Sequence, residues 1–445
     1  MKLRLPPSSA QSLVRKLITA GLDAADPYRA LLDRVSLHGH ALQVGLRIYD
    51  LSQVDRVIAV GAGKASARMG QALERVLGPR LEDGLVIVKT GHTLPTKRIA
   101  VLEAGHPIPD RAGLHATQRL LSLVKNLGPR DLLLVLLSGG ASSLLPAPVP
   151  GVTLADKQRT TRLLLRSGAT INEINIVRKH LSLVKGGGLA ASTQAKIVAL
   201  ILSDVIGDDL GSIGSGPTVG DPSTFADAMG VLKRYRIWRS VPAAVRQYLS
   251  RGRKGTVPET LKPGSRRVRS VHHQIIGNNH IMVEAVLHSA DMLGLRTIQF
   301  PTAIMGEASV AAKRVTAVAK TIAAGHRIMK RPCCVVAGGE PTVTVTGKGT
   351  GGRAQEFAAA AACEIAGLSN TWVVALGSDG TDGPTDAAGA IVSGETLARA
   401  KKLGVDLPSA VNRHDTYPAL KRLRCHIHTG PTGTNVNDLY LLLLL

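Results

Sequence analysis

The chain has 445 residues, of which 44% are hydrophobic and 2% aromatic, and it carries a formal charge of +23. Such a length makes room for about two or three globular domains, and so few aromatic rings leave little material for the stacking platforms of single-strand nucleic-acid binding. The positive balance favours an acidic partner, whether nucleic acid, membrane surface or anionic metabolite, without choosing among them.

The opening MKLRLPPSSAQSLVRKL lacks an uninterrupted apolar core of signal length, and no run approaches a membrane span. Apolar runs VIAV (57–60), LVIV (85–88), LLLVLL (132–137) and IVALIL (197–202) alternate with amphipathic stretches at 65–77, 112–127 and 154–168. Continuous apolar strands alternating with helices predict a parallel sheet covered on both faces, hence a Rossmann-like α/β domain over 1–250. The basic run at 251–269, broken by Pro and Gly, reads as part of a solvated connector over 251–270 that acts as a hinge.

Beyond it, HHQIIGNN (272–279), a helix over 280–293 and RTIQF (296–300) predict a second α/β domain over 271–445, with VTVTG (343–347) as a ribbon. Cysteines at 333, 334, 363 and 425 have no zinc-site spacing and read as reduced thiols of a cytosolic protein. The closing YLLLLL is too short to cross a bilayer and reads as a final strand or helix turn.

Six places carry chemistry. GAGKAS (61–66) follows a strand and opens a helix; Ser66 stands where a dinucleotide fingerprint needs its third glycine, and Lys89, not an acid, follows the next strand. Lys64 in that turn suits a phosphate or carboxylate, or is a surface lysine. Ser138, Gly139, Gly140 and Ser142 end the buried LLLVLL run and form either an anion cradle or a plain tight turn. Asp204 follows IVALIL, where a carboxylate is placed for metal coordination or proton abstraction.

In the last third, glycine-rich stretches at 338–356, 377–390 and 429–438 each follow a short apolar run, an arrangement that lets three loops line one pocket. They contribute Glu340, Arg353, Asp379 and Asn435. An arginine that opens a helix opposes the helix dipole and calls for a nearby anion, with Glu340 one candidate. No GxxxxGK[ST] occurs, so phosphate binding is not of the P-loop kind.

Taken in order, GAGKAS (61–66), AGHPIPD (104–110), LLSGGASSLL (136–145), ILSDVIGDDLGSIGSGPTVGDPST (201–224), GGEPTVTVTGKGTGGRAQE (338–356), GSDGTDGPTDAAGA (377–390) and GPTGTNVND (430–438) resemble the glycerate 2-kinase family. That family combines an N-terminal DUF4147-type α/β domain with a C-terminal MOFRL domain, here at about 331–440. The resemblance implies ATP-dependent phosphorylation of D-glycerate at its 2-hydroxyl, with Mg2+ or another divalent cation, in a cleft between the domains.

It also implies a cytoplasmic monomer or homodimer that binds no specific nucleic acid and no membrane. The family's active-site positions fall on Lys64, Asp204, Glu340, Arg353, Asp379 and Asn435. Lys64 and Arg353 then hold the glycerate carboxylate and the transferring phosphoryl group, in an order left open. Asp204, Glu340 and Asp379 are the metal candidates, and Asp204 is the first choice as base; Asn435 orients substrate or phosphate. The rivals are an NAD(P)H-dependent hydroxypyruvate reductase and a polyanion-binding protein.

Overall fold

The computed structural model describes residues 3–324 and 329–445. The chain divides into two compact units: Ala30–Ile276 is continuous, and the other joins the residues up to Arg29 to Gly277–Leu445.

In the continuous unit a six-stranded sheet runs in the spatial order Ile99–Ala104, Leu81–Lys89, Val57–Ala62, Leu132–Leu137, Lys196–Leu202, His272–Gly277. The first five are mutually parallel. Chain order therefore reverses between Val57–Ala62 and Leu132–Leu137, as in doubly wound Rossmann sheets, where ligands bind beyond the strand ends at that switch. Both central strands are buried along their whole length, the reason they read as unbroken apolar runs. Helix Arg111–Lys125 turns Ala116, Leu120 and Val124 inward and is started by Asp110, which accepts the Gly113 N–H at 2.8 Å. Each such buried Leu or Val contributes roughly 1.5–3 kcal/mol.

Beside the sheet, helices Leu154–Arg166, Ile171–His180, Phe225–Arg234 and Ala243–Arg253 pack around a core that includes Leu164, Val177, Phe225 and Leu249. Three of them begin with reciprocal capping boxes, Thr153 with Asp156, Thr170 with Glu173 and Thr224 with Asp227. A separate antiparallel sheet, Val35–His38, Ala41–Val44 and Arg47–Asp50, had no counterpart in the sequence reading.

The basic stretch at 251–270 is not a free connector. Glu259 receives hydrogen bonds from His180 Nε2 at 3.0 Å and the Phe225 N–H at 3.1 Å, and Leu261 accepts the Asp221 N–H at 2.8 Å. Arg267 donates to the Ala190 and Ala195 carbonyls at 2.8 Å each. Its charges satisfy open backbone oxygens, so the segment belongs to the Ala30–Ile276 unit, and the chain passes between units at 29–30 and 276–277.

The first residues also depart from the 1–250 expectation: helix Gln11–Ala24 packs on helix Asn279–Met292, close enough that a Cβ on Gly21 would stand 2.8 Å from Val286 Cγ2. That unit's sheet runs Arg296–Gln299, Cys333–Gly339, Asp438–Leu444, Thr371–Gly377, Gly389–Ser393, His426–Ile427. The leucine run is thus a central strand, antiparallel to both neighbours, with Leu442 opposite Val335 on one side and Val373 on the other. Helix Arg353–Glu364 lays its alanines on this sheet, and Phe357 meets the Tyr440 ring at 4.3 Å between centroids. VTVTG forms no ribbon: its residues are mostly exposed, and Thr344 hydrogen-bonds the Glu307 carboxylate instead of a strand partner.

Candidate active site

At the switch point of the Rossmann-like sheet, two turns are tied together by their backbones. Lys64 N–H donates to the Gly139 carbonyl at 2.9 Å, and Ala65 N–H donates to Ser138 Oγ at 3.0 Å. Ser138 therefore pins the Lys64 turn. Gly140 has φ +88°, and a Cβ there would stand 3.0 Å from His106 Nε2 and 3.7 Å from Lys64 Cγ. Only a glycine lets imidazole and lysine stem converge at this place. Burial, then the charges of Lys64, Lys89 and His92, push the His106 pKa down to about 4, which leaves a neutral ring at physiological pH.

Beyond these turns lies a cavity of about 460 Å³ whose lining includes Ser138, Gly140, Ser142 and Asp204. Four expected positions are thereby brought to one place, while Lys64 and Gly139 belong to the paired turns beside it. Ser142 Oγ lies 2.8 Å from Ser215 Oγ, which donates to Asn175 Oδ1 at 3.1 Å, so that serine is oriented from the helical core.

His106, Lys157, Arg178 and Lys185 also line the cavity, and the sequence reading assigned none of them a role. Lys157 shares a helix face with Thr160 and Leu164, both buried, at the i, i+3, i+7 spacing of a core stripe. A lysine in that register was the available signal. Its buried Nζ meets no hydrogen-bond partner among the described residues, and burial, with Arg178 nearby, pushes its pKa down to about 7. Lys185 donates to the Ser142 carbonyl at 2.6 Å, and burial and its two cationic neighbours hold it well below the usual lysine range.

In the other unit, the three glycine-rich loops meet around Asp438. Gly339 and Gly377, the ends of two strands, both pair with it in register, and the third loop leads into it. Arg353 donates from Nε to Asp438 Oδ2 at 2.7 Å, from Nη2 to Oδ1 at 3.0 Å and from Nη1 to Glu340 Oε1 at 2.7 Å. Asn437 donates to Glu340 Oε2 at 2.8 Å, and Tyr440 O–H to Asp438 Oδ2 at 2.9 Å. The anion required by Arg353 is therefore chiefly Asp438, with Glu340 second. Burial pushes the Asp438 carboxyl up to about 7 while Arg353 works against that rise.

Asp379 accepts the Thr381 N–H at 3.0 Å through Oδ1, and Asn435 Oδ1 faces the Asn437 N–H at 3.4 Å. Asp382 caps helix Arg353–Glu364 through the Ala354 and Gln355 N–H groups at 3.0 and 2.8 Å. The glycines here serve loop-on-loop packing: a Cβ on Gly380 would stand 2.0 Å from the Gly430 carbonyl oxygen.

Among the described residues no group of three His, Cys, Asp or Glu side chains forms a protein cage for a metal. Asp204 in one unit and Asp379 in the other each have the oxygen chemistry for a magnesium ion, which takes one or two carboxylates and fills its remaining positions with phosphate oxygens and water. Glu340 fits less well, since both its oxygens are engaged.

These features define an α/β enzyme with a cation-rich cavity at its Rossmann-type switch point. Domain models match the chain twice, a domain of unknown function (DUF4147) over residues 13–250 and the MOFRL family over 333–438. A glycerate 2-kinase of Pyrococcus horikoshii is 42% identical, covering 95% of each chain. A protein of Agrobacterium vitis, provisionally named a hydroxypyruvate reductase, is 38% identical over 98% of this chain and 95% of its own. The crystal structure of a glycerate kinase from Thermotoga maritima superposes with a TM-score of 0.88 at 39% identity, covering 99% of this chain and 100% of that one. The chain belongs to the glycerate 2-kinase family.

Proposed function

We propose that this protein transfers the terminal phosphoryl group of ATP to the 2-hydroxyl of D-glycerate, giving 2-phosphoglycerate and ADP. The observation that carries this reading is the cavity at the switch point, whose lining sets Lys157, Arg162, Arg178 and Lys185 against a single carboxylate, Asp204, next to the turn that carries Lys64. Phosphoryl transfer asks little covalent chemistry of a protein and much positioning and charge neutralisation, which such a lining supplies.

In this mechanism the glycerate 2-oxygen bonds to the γ-phosphorus as the bond to the β–γ bridging oxygen breaks, and Asp204 accepts the hydroxyl proton. Lys64, fixed by the Gly139 and Ser138 contacts, offers a point charge to phosphoryl or carboxylate oxygens. His106, held neutral, offers a hydrogen bond without adding charge. In its own unit Arg353 is held rigid by Asp438 and Glu340, an orientation suited to a developing oxyanion. Asp204 in its unit, or Asp379 or Glu340 in theirs, would hold a divalent cation, which when bound would neutralise charge on the phosphate oxygens. Asn435 orients a ligand oxygen.

Among the described residues no helix is long and apolar enough to cross a membrane, and the four cysteines are unpaired; both accord with work in the cytoplasm. Incubation with ATP, magnesium and D-glycerate should yield 2-phosphoglycerate, with products resolved by chromatography. Exclusive formation of the 3-isomer would overturn the regiochemistry while leaving the kinase class in place.

The reductase reading has in its favour the Rossmann strand order and the provisional name of the Agrobacterium vitis relative. Against it, Lys89 ends the second strand where a dinucleotide ribose needs an acid. Hydroxypyruvate-dependent NADH or NADPH oxidation, followed by absorbance, decides between them.

A further inference from the structure

Lys157, Arg178 and Lys185 reach the cavity from three separate places: the first turn of Leu154–Arg166, the last turns of Ile171–His180 and the segment just beyond that helix. Lys185 is 3% exposed, and the Lys157 amine is buried without a hydrogen-bond partner among the described residues. A buried amine in that condition costs stability and holds nothing together in the protein itself. Lys185 spends one of its three donors on Ser142, which leaves two.

We propose that Lys157, Arg178 and Lys185 form a phosphate seat that takes the phosphate chain of the nucleotide. The proposal rests on the kinase reading and names where one of its two substrates is held. Charge decides between the candidates. Asp204 is the one carboxylate in the described lining, set against these three cations and Arg162. Glycerate brings one negative charge and leaves the cluster short, whereas a nucleotide's phosphate chain brings three or more. Pro107, Ile108, Leu154 and Leu165 supply an apolar wall in the same cavity, as a nucleoside attached to that chain requires. Anion binding also restores the proton that burial discourages on Lys157.

The test is calorimetric titration of the full chain with ADP and, separately, with D-glycerate, for wild type, Lys157→Met, Arg178→Met and Lys157→Arg. The expected result is an ADP Kd at least tenfold weaker in both Met variants, a glycerate Kd within twofold of wild type, and ADP affinity largely kept in Lys157→Arg. Unchanged ADP binding in folded Met variants overturns the seat. Weakened glycerate binding with ADP untouched also overturns it and reassigns the cluster to the carboxylate. Wild-type protein that binds neither ligand overturns the kinase reading, and the seat with it. Should Arg178→Met fail to fold, Lys157→Met decides alone, since no hydrogen bond of the fold is lost with that amine.

Discussion

Arg353 grips Asp438 with two parallel hydrogen bonds, at 2.7 and 3.0 Å, while a second carboxylate, Glu340, meets the same guanidinium at 2.7 Å. Asp438 is 1% exposed, so the arginine is its compensation for leaving water. Arg353→Met should therefore destabilise the protein by about 3 kcal/mol at pH 8, read from urea unfolding.

The loss should depend on pH in a definite direction. With its pKa raised in the folded state from 3.8 to about 7, Asp438 binds its proton more readily folded than unfolded. Its contribution to stability is then complete below about 4 and disappears as pH climbs through the folded value. In Arg353→Met the deficit should shrink on going from pH 8 to pH 5; a deficit that grows on acidification would contradict the buried-carboxylate account.

Gly140→Ala tests the junction of the two switch-point turns. The φ of +88° costs a non-glycine residue about 1–2 kcal/mol, and the new methyl would press on His106 at 3.0 Å. Turnover should fall at least tenfold with a modest drop in melting temperature. Adding His106→Ala to that variant should recover part of the stability, because it removes the group the methyl strikes.

Lys157→Met should make the protein more stable while it weakens function. Burial lowers the amine from 10.5 to about 7, so the unfolded chain binds the proton more tightly. The resulting penalty is present in full below about pH 7 and fades as pH rises toward 10.5. Replacing the amine by an apolar side chain of similar length should raise stability by about 1 kcal/mol near neutrality, and by less at pH 9.5. A fall in melting temperature at pH 7 would show that the amine has a structural partner after all.

Lys64→Ala should lower kcat by about a hundredfold or more with an unchanged melting temperature. The turn is held by the backbone N–H of Lys64 on Gly139 and by His92 on the Lys64 carbonyl, and neither contact needs the side chain. Loss of folding in this variant would mean that the ammonium group itself supports the turn.

What the sequence disclosed and what it hid follow from how each residue is surrounded. The central strands were legible because burial on both faces demands unbroken Val, Leu and Ile. The positions of Lys64, Asp204 and the Ser138–Ser142 turn just beyond strand ends were legible because those strands were. His106 lies in a loop whose importance depends on a distant glycine; the register of Lys157 with Thr160 and Leu164 signalled its burial only, and nothing local showed what faces it or Arg178. The importance of Asp438 was hidden, since its pairing with Arg353 requires knowing that the leucine run enters the middle of the sheet. The basic stretch at 251–270 misled because composition records charge but not the backbone carbonyls that absorb it.

The placement of Asp438–Leu444 between Cys333–Gly339 and Thr371–Gly377 has a bearing on how the protein is made. A polypeptide leaves the ribosome amino end first, so both flanking strands emerge while the one that must join them is still being synthesised. Ala30–Ile276 contains its whole sheet apart from one residue at its boundary and has no such wait. The discontinuous unit instead exposes two apolar strand edges until residues 438–444 arrive, an interval in which chains are prone to pair with one another. Nonsense or frameshift changes just upstream of Asp438 should therefore yield aggregates rather than a slightly shortened enzyme.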